Sequence, residues 1–289
     1  MSAVECDGPK RLAVPRGTQY RKRGHVENGA TRSIYDFPEI FRAVQFELPG
    51  EIEAETAFIS QVFARHLGRR VRRVLDIACG TSPHGQLLAA QGIEVVGIDR
   101  SPVMIGLGRR QVGARRNPRF YRRQVERFSL PEHNFDAAYL YSETFPILVD
   151  NRDVIDHLRS VARVLRPGAL YCVDIDRHDG IEHLRGRRPW RQREVRCQGV
   201  RVEVREFKRP IAWDAAAWIY EVQCRIHFPK GKPVLTRDLI PVRYTVPKLL
   251  ELAASAAGVF KLIACYPDLS LEGSMAQCDR RWCGVLRRI

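Results

Sequence analysis

The chain has 289 residues, 45% of them hydrophobic and 28% charged, with a formal net charge of +15 at pH 7. That length holds one α/β domain with an insertion or two small domains, and the apolar share supplies a core, which excludes a disordered or low-complexity protein. No run of about 18 apolar residues occurs, and the N-terminus lacks an apolar signal region, so neither a membrane span nor a secretory leader is expected. Eight cysteines are scattered without Cys-x-x-Cys spacing, several of them (Cys172, Cys224, Cys265) in strand-like segments. Cys278 and Cys283 have no histidine at metal spacing. The cysteines read as small buried hydrophobes in a reducing cytoplasm, with no structural metal. The positive charge is mostly arginine, with denser clusters from Arg109 to Arg127 and from Arg185 to Arg193. A solvated basic face is the plain reading; an anionic substrate or an RNA backbone is the alternative.

In chain order, residues 1–50 read as a polar, flexible N-terminus followed by a short lid segment. Within it Ser33-Ile34-Tyr35-Asp36-Phe37-Pro38 opens a helix over Glu39 to Phe46. Glu51 to Leu67 carries Ile52, Phe58, Ile59, Val62, Phe63 and Leu67 at helical spacing, a stripe suited to one face of a sheet. Val74-Leu75-Asp76-Ile77 and Val95-Val96-Gly97-Ile98 are near-continuous apolar runs, as parallel strands covered on both faces should be. A helix starting at Ser101, a strand near Phe120-Tyr121, a strand from Phe135 to Tyr141, a helix from Asp153 to Leu165 and a strand from Ala169 to Ile175 follow. Residues 51–175 thus read as an α/β core.

Between 176 and 244 the period changes to two, in Val200 to Arg205, Trp218 to Ile226 and Leu239 to Tyr244, which predicts an antiparallel insertion. Residues 245–289 return to the core with a helix ending at Gly258 and an antiparallel pair, Phe260 to Tyr266 and Arg281 to Leu286. The expected architecture is a seven-stranded Rossmann-like sheet with helices on both faces, an N-terminal lid and an antiparallel β insertion after strand five.

The turn after the first strand is Ala78-Cys79-Gly80-Thr81-Ser82-Pro83. Gly80 permits a tight turn and close approach of a ligand, and a helix N-terminus begins just beyond it. Asp99 ends the second strand, where a carboxylate can accept both hydroxyls of a ribose. A dinucleotide fingerprint needs Gly-x-Gly-x-x-Gly; this turn lacks the first glycine and carries a proline without an N–H, so pyrophosphate fits poorly. A nicotinamide cofactor is disfavoured on that ground.

The string Leu75-Asp76-Ile77-Ala78-Cys79-Gly80-Thr81 resembles the first motif of class I S-adenosylmethionine-dependent methyltransferases, departing from it at Ser82, where that family usually has glycine. Asp99-Arg100-Ser101-Pro102-Val103-Met104 is similar to the family's acidic second motif, with Ser101 as N-cap and Pro102 at the first helical position. Gln124-Val125-Glu126-Arg127-Phe128 stands where the family places an Asp-containing segment against adenine, and Leu165-Arg166-Pro167-Gly168 matches its turn into strand five.

The resemblance implies S-adenosyl-L-methionine as cofactor, with Asp99 on the ribose, Ala78 and Gly80 facing the methionyl end and Asp76 behind them. Arg100, Met104, Gln124, Val125 and Glu126 would surround the adenine, Tyr35 would belong to a lid, and Tyr141 would lie near the sulfonium and the substrate. Such a reaction needs a general base only when the nucleophile must lose a proton. The candidates are His178 and Asp176 past strand five, then Glu143 and His183; His84 reads as a helix-start residue.

The function so implied is methyl transfer to an oxygen or nitrogen of a small biosynthetic intermediate. An RNA or protein methyltransferase using the basic surface, and a non-catalytic cofactor-binding relative, remain as alternatives. Against the first stands Tyr141-Ser142-Glu143-Thr144-Phe145-Pro146, which lacks the Asn/Asp-Pro-Pro-(Tyr/Phe) string of nucleobase amino methyltransferases. The expected partner is a small molecule, anionic if the arginines bind it; no membrane is expected, and nucleic acid and a homodimer are left open.

Overall fold

The computed structural model describes residues 32–45, 50–176, 189–211 and 214–289. The chain divides into two compact units, one of Tyr35–Arg177 with Thr245–Ile289, the other of Met1–Ile34 with His178–Tyr244.

The larger unit begins with α1 (Pro38–Gln45) and α2 (Glu51–Leu67) and then alternates strand and helix. The sequence runs β1 (Arg73–Ile77), α3 (Pro83–Ala90), β2 (Glu94–Asp99), α4 (Pro102–Val112), β3 (Arg119–Arg122), β4 (Phe135–Leu140), α5 (Asn151–Val164) and β5 (Leu165–Asp176). These strands are parallel, and the chain reverses direction across the sheet between β1 and β4. After the second unit, α6 (Pro247–Ala257), β10 (Phe260–Pro267) and β11 (Arg281–Arg288) complete a seven-stranded sheet of order β10-β11-β5-β4-β1-β2-β3. β11 is seated between β5 and β10 and pairs antiparallel with both, so it alone runs against the other six strands, and the expected antiparallel terminal pair is present. Ligands of such sheets bind beyond the C-terminal ends of the strands, where the order reverses. Here that is the end of β1 and β4.

The period of two along each strand sends alternate side chains to opposite layers. On one face Leu75, Ile77, Tyr171 and Val173 pack with Leu158 and Val161 of α5 and Leu250 of α6. On the other, Val74, Val95, Leu170 and Cys172 pack with Phe58, Ile59, Val62 and Phe63 of α2. Full burial of each such side chain contributes roughly 1.5–3 kcal/mol. The α2 stripe read from the sequence is therefore a core face, although Ile52 and Leu67 at its ends are only half-buried.

The smaller unit contains an antiparallel sheet of order β6-β7-β8-β9: β6 (Arg191–Cys197), β7 (Val200–Ile211), β8 (Asp214–His227) and β9 (Val234–Arg243). Three of its strands follow the predicted alternation; Val202 and Val204 are buried while Arg205 is exposed. β6 escaped the pattern because its sequence, Arg-Gln-Arg-Glu-Val-Arg-Cys, buries nothing and is held by its ladder to β7 and by the ion pair of Arg193 with the buried Glu206. Among the described residues no helix is long and apolar enough to cross a membrane.

One buried ring went unread in the sequence. His157 of α5 is fully buried, with Nδ1 at 2.7 Å from the Val125 carbonyl and Nε2 at 2.6 Å from the Tyr171 hydroxyl. Burial pulls its pKa down from 6.5 to about 4, against the Val125 carbonyl, which favours the charged ring. In the unfolded chain the ring gains its proton as pH falls below its ordinary value, while the native ring stays neutral. The stability His157 contributes is thus present at neutral pH and is lost as pH falls toward the native pKa. We expect the stability advantage of wild type over His157→Gln to shrink by up to about 3 kcal/mol between pH 7 and pH 4 in urea unfolding. A pH-independent difference would show that burial leaves the ring's proton affinity at its unfolded value.

Candidate functional site

The loop joining β1 to α3 is wound through three left-handed residues, Ala78, Gly80 and Ser82, with φ of 53°, 54° and 57°. Two of them carry a Cβ, a conformation that costs on the order of 1–3 kcal/mol each and persists only where neighbouring contacts over-determine it. Those contacts are present. The Cys79 amide donates to the Ile98 carbonyl of β2 at 2.9 Å, and the Ser82 amide to the Cys79 carbonyl at 2.7 Å. Gly80 N–H donates to Asp99 Oδ2 at 2.9 Å, and the Ser82 hydroxyl to Asp76 Oδ2 at 2.6 Å. Gly97 leaves room for this loop, since a Cβ there would stand 2.8 Å from Cys79 Sγ.

Asp99 joins two elements, because its other oxygen accepts the Ser101 amide at 2.7 Å. Ser101 in turn caps α4, accepting the Met104 amide at 3.3 Å, with Pro102 opening the helix as its sequence indicates. A carboxylate offers about four lone-pair positions; backbone amides engage two of those of Asp99. The side chain is half-buried at the strand end, so two acceptor positions can meet ribose hydroxyls. A Cβ on Gly80 would touch nothing within 4 Å, so the space before this turn is open. The donor set and the open turn fit an adenosyl cofactor. Burial raises the Asp99 carboxyl, opposed by the Ser101 and Gly80 amides. Asp76 is buried deeper, and burial raises it to about 6 against the Ser82 hydroxyl.

The remaining predicted cofactor residues fall around this turn with unequal exposure. Met104 is buried, Ala78, Val125 and Glu126 are half-buried, and Arg100 and Gln124 are exposed. The Val125 carbonyl is taken by His157, which leaves that oxygen engaged within the protein. Tyr35 stacks on Phe41 with ring centroids 4.6 Å apart, and α1, which carries Phe41, lies against α4. His178 and His183 lie outside the described residues.

Tyr141, just past β4, is buried, and its hydroxyl donates to Cys283 Sγ at 3.9 Å. Burial pushes its pKa well above the ordinary tyrosine value, so the structure places it in the packed layer under α2. The next two residues, Ser142 and Glu143, are left-handed, with φ of 58° and 56°. Glu143 is exposed and hydrogen-bonds to Asp176 at the end of β5. Crowding by protein atoms and the Asp176 carboxylate both raise its carboxyl well above the usual range. Since the side chain keeps contact with water, the neighbouring charge is the cause that counts.

Below them runs a chain of buried ionisable groups of which the sequence reading named only His84, as a helix-start residue. His84 Nε2 of α3 meets Glu55 Oε2 of α2, and Glu55 Oε1 meets Arg281 Nη1 of β11. Arg281 also lies 3.4 Å from Asp174 Oδ2 of β5. Burial would raise Glu55, but His84 and Arg281 outweigh it and hold the carboxyl below its ordinary value. Asp174 goes the other way: burial lifts it to about 7 in spite of Arg281, and its Oδ1 is buried without a hydrogen-bond partner. The available signal was Glu55 itself, a charge at helical spacing from Phe58, Ile59 and Val62 on an otherwise apolar stripe.

The arginine clusters are largely engaged locally. Arg109 donates to the Phe120 carbonyl at 2.7 Å, Arg119 pairs with Glu94 and Glu132, and Arg127 pairs with Asp156. Arg119 lies on β3, an edge strand, where charge discourages strand addition. Residues 185–188 of the second cluster lie outside the described residues.

Comparison with known proteins converges on the same segment. Residues 74–168 match a family model described as a methyltransferase domain. The YqeM protein of Bacillus subtilis (strain 168) is 32% identical over 103 residues, 36% of this chain and 42% of that one. Glycine N-methyltransferase of Rattus norvegicus is 30% identical over 122 residues, 38% of this chain and 42% of that one. The chain thus spans less than half the length of the curated relatives it matches. In fold it is similar to the sugar N-methyltransferase KedS8 from Streptoalloteichus sp ATCC 53650, with a TM-score of 0.68 at 20% identity over 96% of this chain and 99% of that one. The β1 turn and Asp99 both fall within residues 74–168, the stretch that matches the methyltransferase-domain model, and the fold around them is similar to that of S-adenosylmethionine-dependent methyltransferases.

Proposed function

We propose that this protein transfers a methyl group from S-adenosylmethionine to the nitrogen of a small biosynthetic amine. The observation that carries the choice of nitrogen is the charge at the ends of β4 and β5. Among the described residues there, Glu143, Asp174 and Asp176, with Glu55 behind them, stand against the guanidinium of Arg281 and the His84 ring. Such a group favours a cation over the anionic substrate that the arginine content suggested. Two of the proteins it is similar to are named for nitrogen methylation, glycine N-methyltransferase and the sugar N-methyltransferase KedS8.

When bound, S-adenosylmethionine supplies an electrophilic methyl group on a sulfonium. Asp99, Ala78 and Gly80 would hold it, with Met104 and Arg100 toward the adenine, while Asp76 braces the turn through Ser82. The amine arrives protonated and must give up one proton before its lone pair can attack. The Glu143–Asp176 pair, once it has lost the proton it shares, accepts the one given up by the amine. The amine nitrogen gains the methyl group as the carbon–sulfur bond breaks and S-adenosylhomocysteine leaves with the electron pair, and the carboxylate pair gains one proton. Placement of the two reactants supplies most of the remaining acceleration.

The test uses a donor labelled in its methyl group and a panel of matched small amines and alcohols. Label should enter the amines, and Glu143→Gln should lower kcat by about 100-fold, the usual scale for a general base. Transfer to the alcohols alone would refute the choice of nitrogen. In wild type, kcat should fall on the acid side as the raised Glu143 carboxyl takes up its proton, and Glu143→Gln should flatten that limb. An acid limb unchanged in the variant would remove Glu143 from the role.

A further inference from the structure

We propose that the buried chain His84–Glu55–Arg281–Asp174 sets the position of the cofactor turn, making His84 and Arg281 positioning residues for adenosyl binding. The inference rests on the reading of this turn as the S-adenosylmethionine site.

The argument begins at the start of α3. Ser82 occupies the N-cap position, yet its side chain makes no capping bond there, because its hydroxyl is spent on Asp76. The first turn of the helix therefore lacks the usual local restraint. What restrains it instead is His84, the second residue of α3, whose ring is 4% exposed and bound to Glu55. That ring also meets Tyr139 and Tyr141 edge-on, at centroid distances of 6.3 and 5.9 Å. Glu55 is 1% exposed and Asp174 0% exposed, so Arg281 bridges two carboxylates that have lost nearly all their water. One line of charge thus ties the residues just after Gly80 to α2, β5 and β11, three elements far away in the sequence.

Fold stability alone does not call for this arrangement. Well-packed hydrophobic residues replace buried ion pairs without loss in many proteins, and the opposite layer of this sheet is filled that way. What fixed charges add is geometry. Each bond restricts the angle at which α3 leaves the turn, and with it the left-handed residues 78, 80 and 82 that face the cofactor. A displacement there is felt by the ligand before it is felt by the core.

Calorimetric titration of the full chain with S-adenosylhomocysteine tests this. His84→Leu should weaken binding tenfold or more, and His84→Gln, which keeps a donor toward Glu55, should return it to within about threefold of wild type. Val161→Ala, a cavity in the α5 layer, serves as a control and should lower the melting temperature while leaving affinity unchanged. Arg281→Gln should also weaken binding tenfold or more, and it decides the matter if His84→Leu does not fold. Wild-type affinity in His84→Leu or Arg281→Gln would overturn the proposal, as would an equal loss in Val161→Ala. Failure of wild type to bind would instead remove the cofactor reading on which the proposal rests.

Discussion

The site depends first on one carboxylate. Asp99 ends β2, and its two oxygens hold Gly80 N–H of the β1 turn and Ser101 N–H at the start of α4. Three segments therefore share a single anion: the strained turn, the strand end and the capped helix. Hydrogen bonds to a charged group are worth about 1.5–3 kcal/mol each, enough to offset a left-handed residue. The same group is left with acceptor positions toward the open side of the turn. Structure and recognition thus fall to one side chain, and losing it would disturb both.

The two layers of the sheet are built on different principles. Under α5 and α6 the filling is apolar apart from His157 and Ser160. Under α2 and α3 the apolar packing gives way, toward the C-terminal strand ends, to Asp76, Glu55, His84, Asp174 and Arg281. Charges buried without full pairing are costly, and Asp174 keeps one oxygen unpartnered. Their concentration at the one end where this sheet architecture places ligands is the pattern expected of a working site, because such environments are where carboxyl groups change their affinity for protons.

Much of the core could be read from the sequence because parallel strands buried on both faces leave near-continuous apolar runs. Val74 to Ile77 and Val95 to Ile98 show it, and so does the stripe from Phe58 to Phe63. Asp99 and Gly80 were legible for a related reason, as a turn between two such runs constrains its own residue types. The ion chain was not legible, since Glu55 and Arg281 lie 226 positions apart in the sequence and meet only once the chain between them has folded. Nor was β6, whose alternation is one of charges and whose contribution is a hydrogen-bonded ladder. The arginine content misled in the same way. Composition records charge but not its partners, and Arg109, Arg119 and Arg127 are occupied with carbonyls and carboxylates of their own surface.

The claim on which the rest stands is that the Asp99 carboxylate reads the ribose of an adenosyl ligand. Calorimetry with S-adenosylhomocysteine and its 2′,3′-dideoxyribose analogue, on wild type and on Asp99→Ala, addresses that contact alone. Wild type should prefer the hydroxylated ligand by about tenfold or more, the scale of a hydrogen bond to a charged group, and the variant should lose that preference. Equal affinity of wild type for the two ligands, or a preference that survives in Asp99→Ala, would contradict the account.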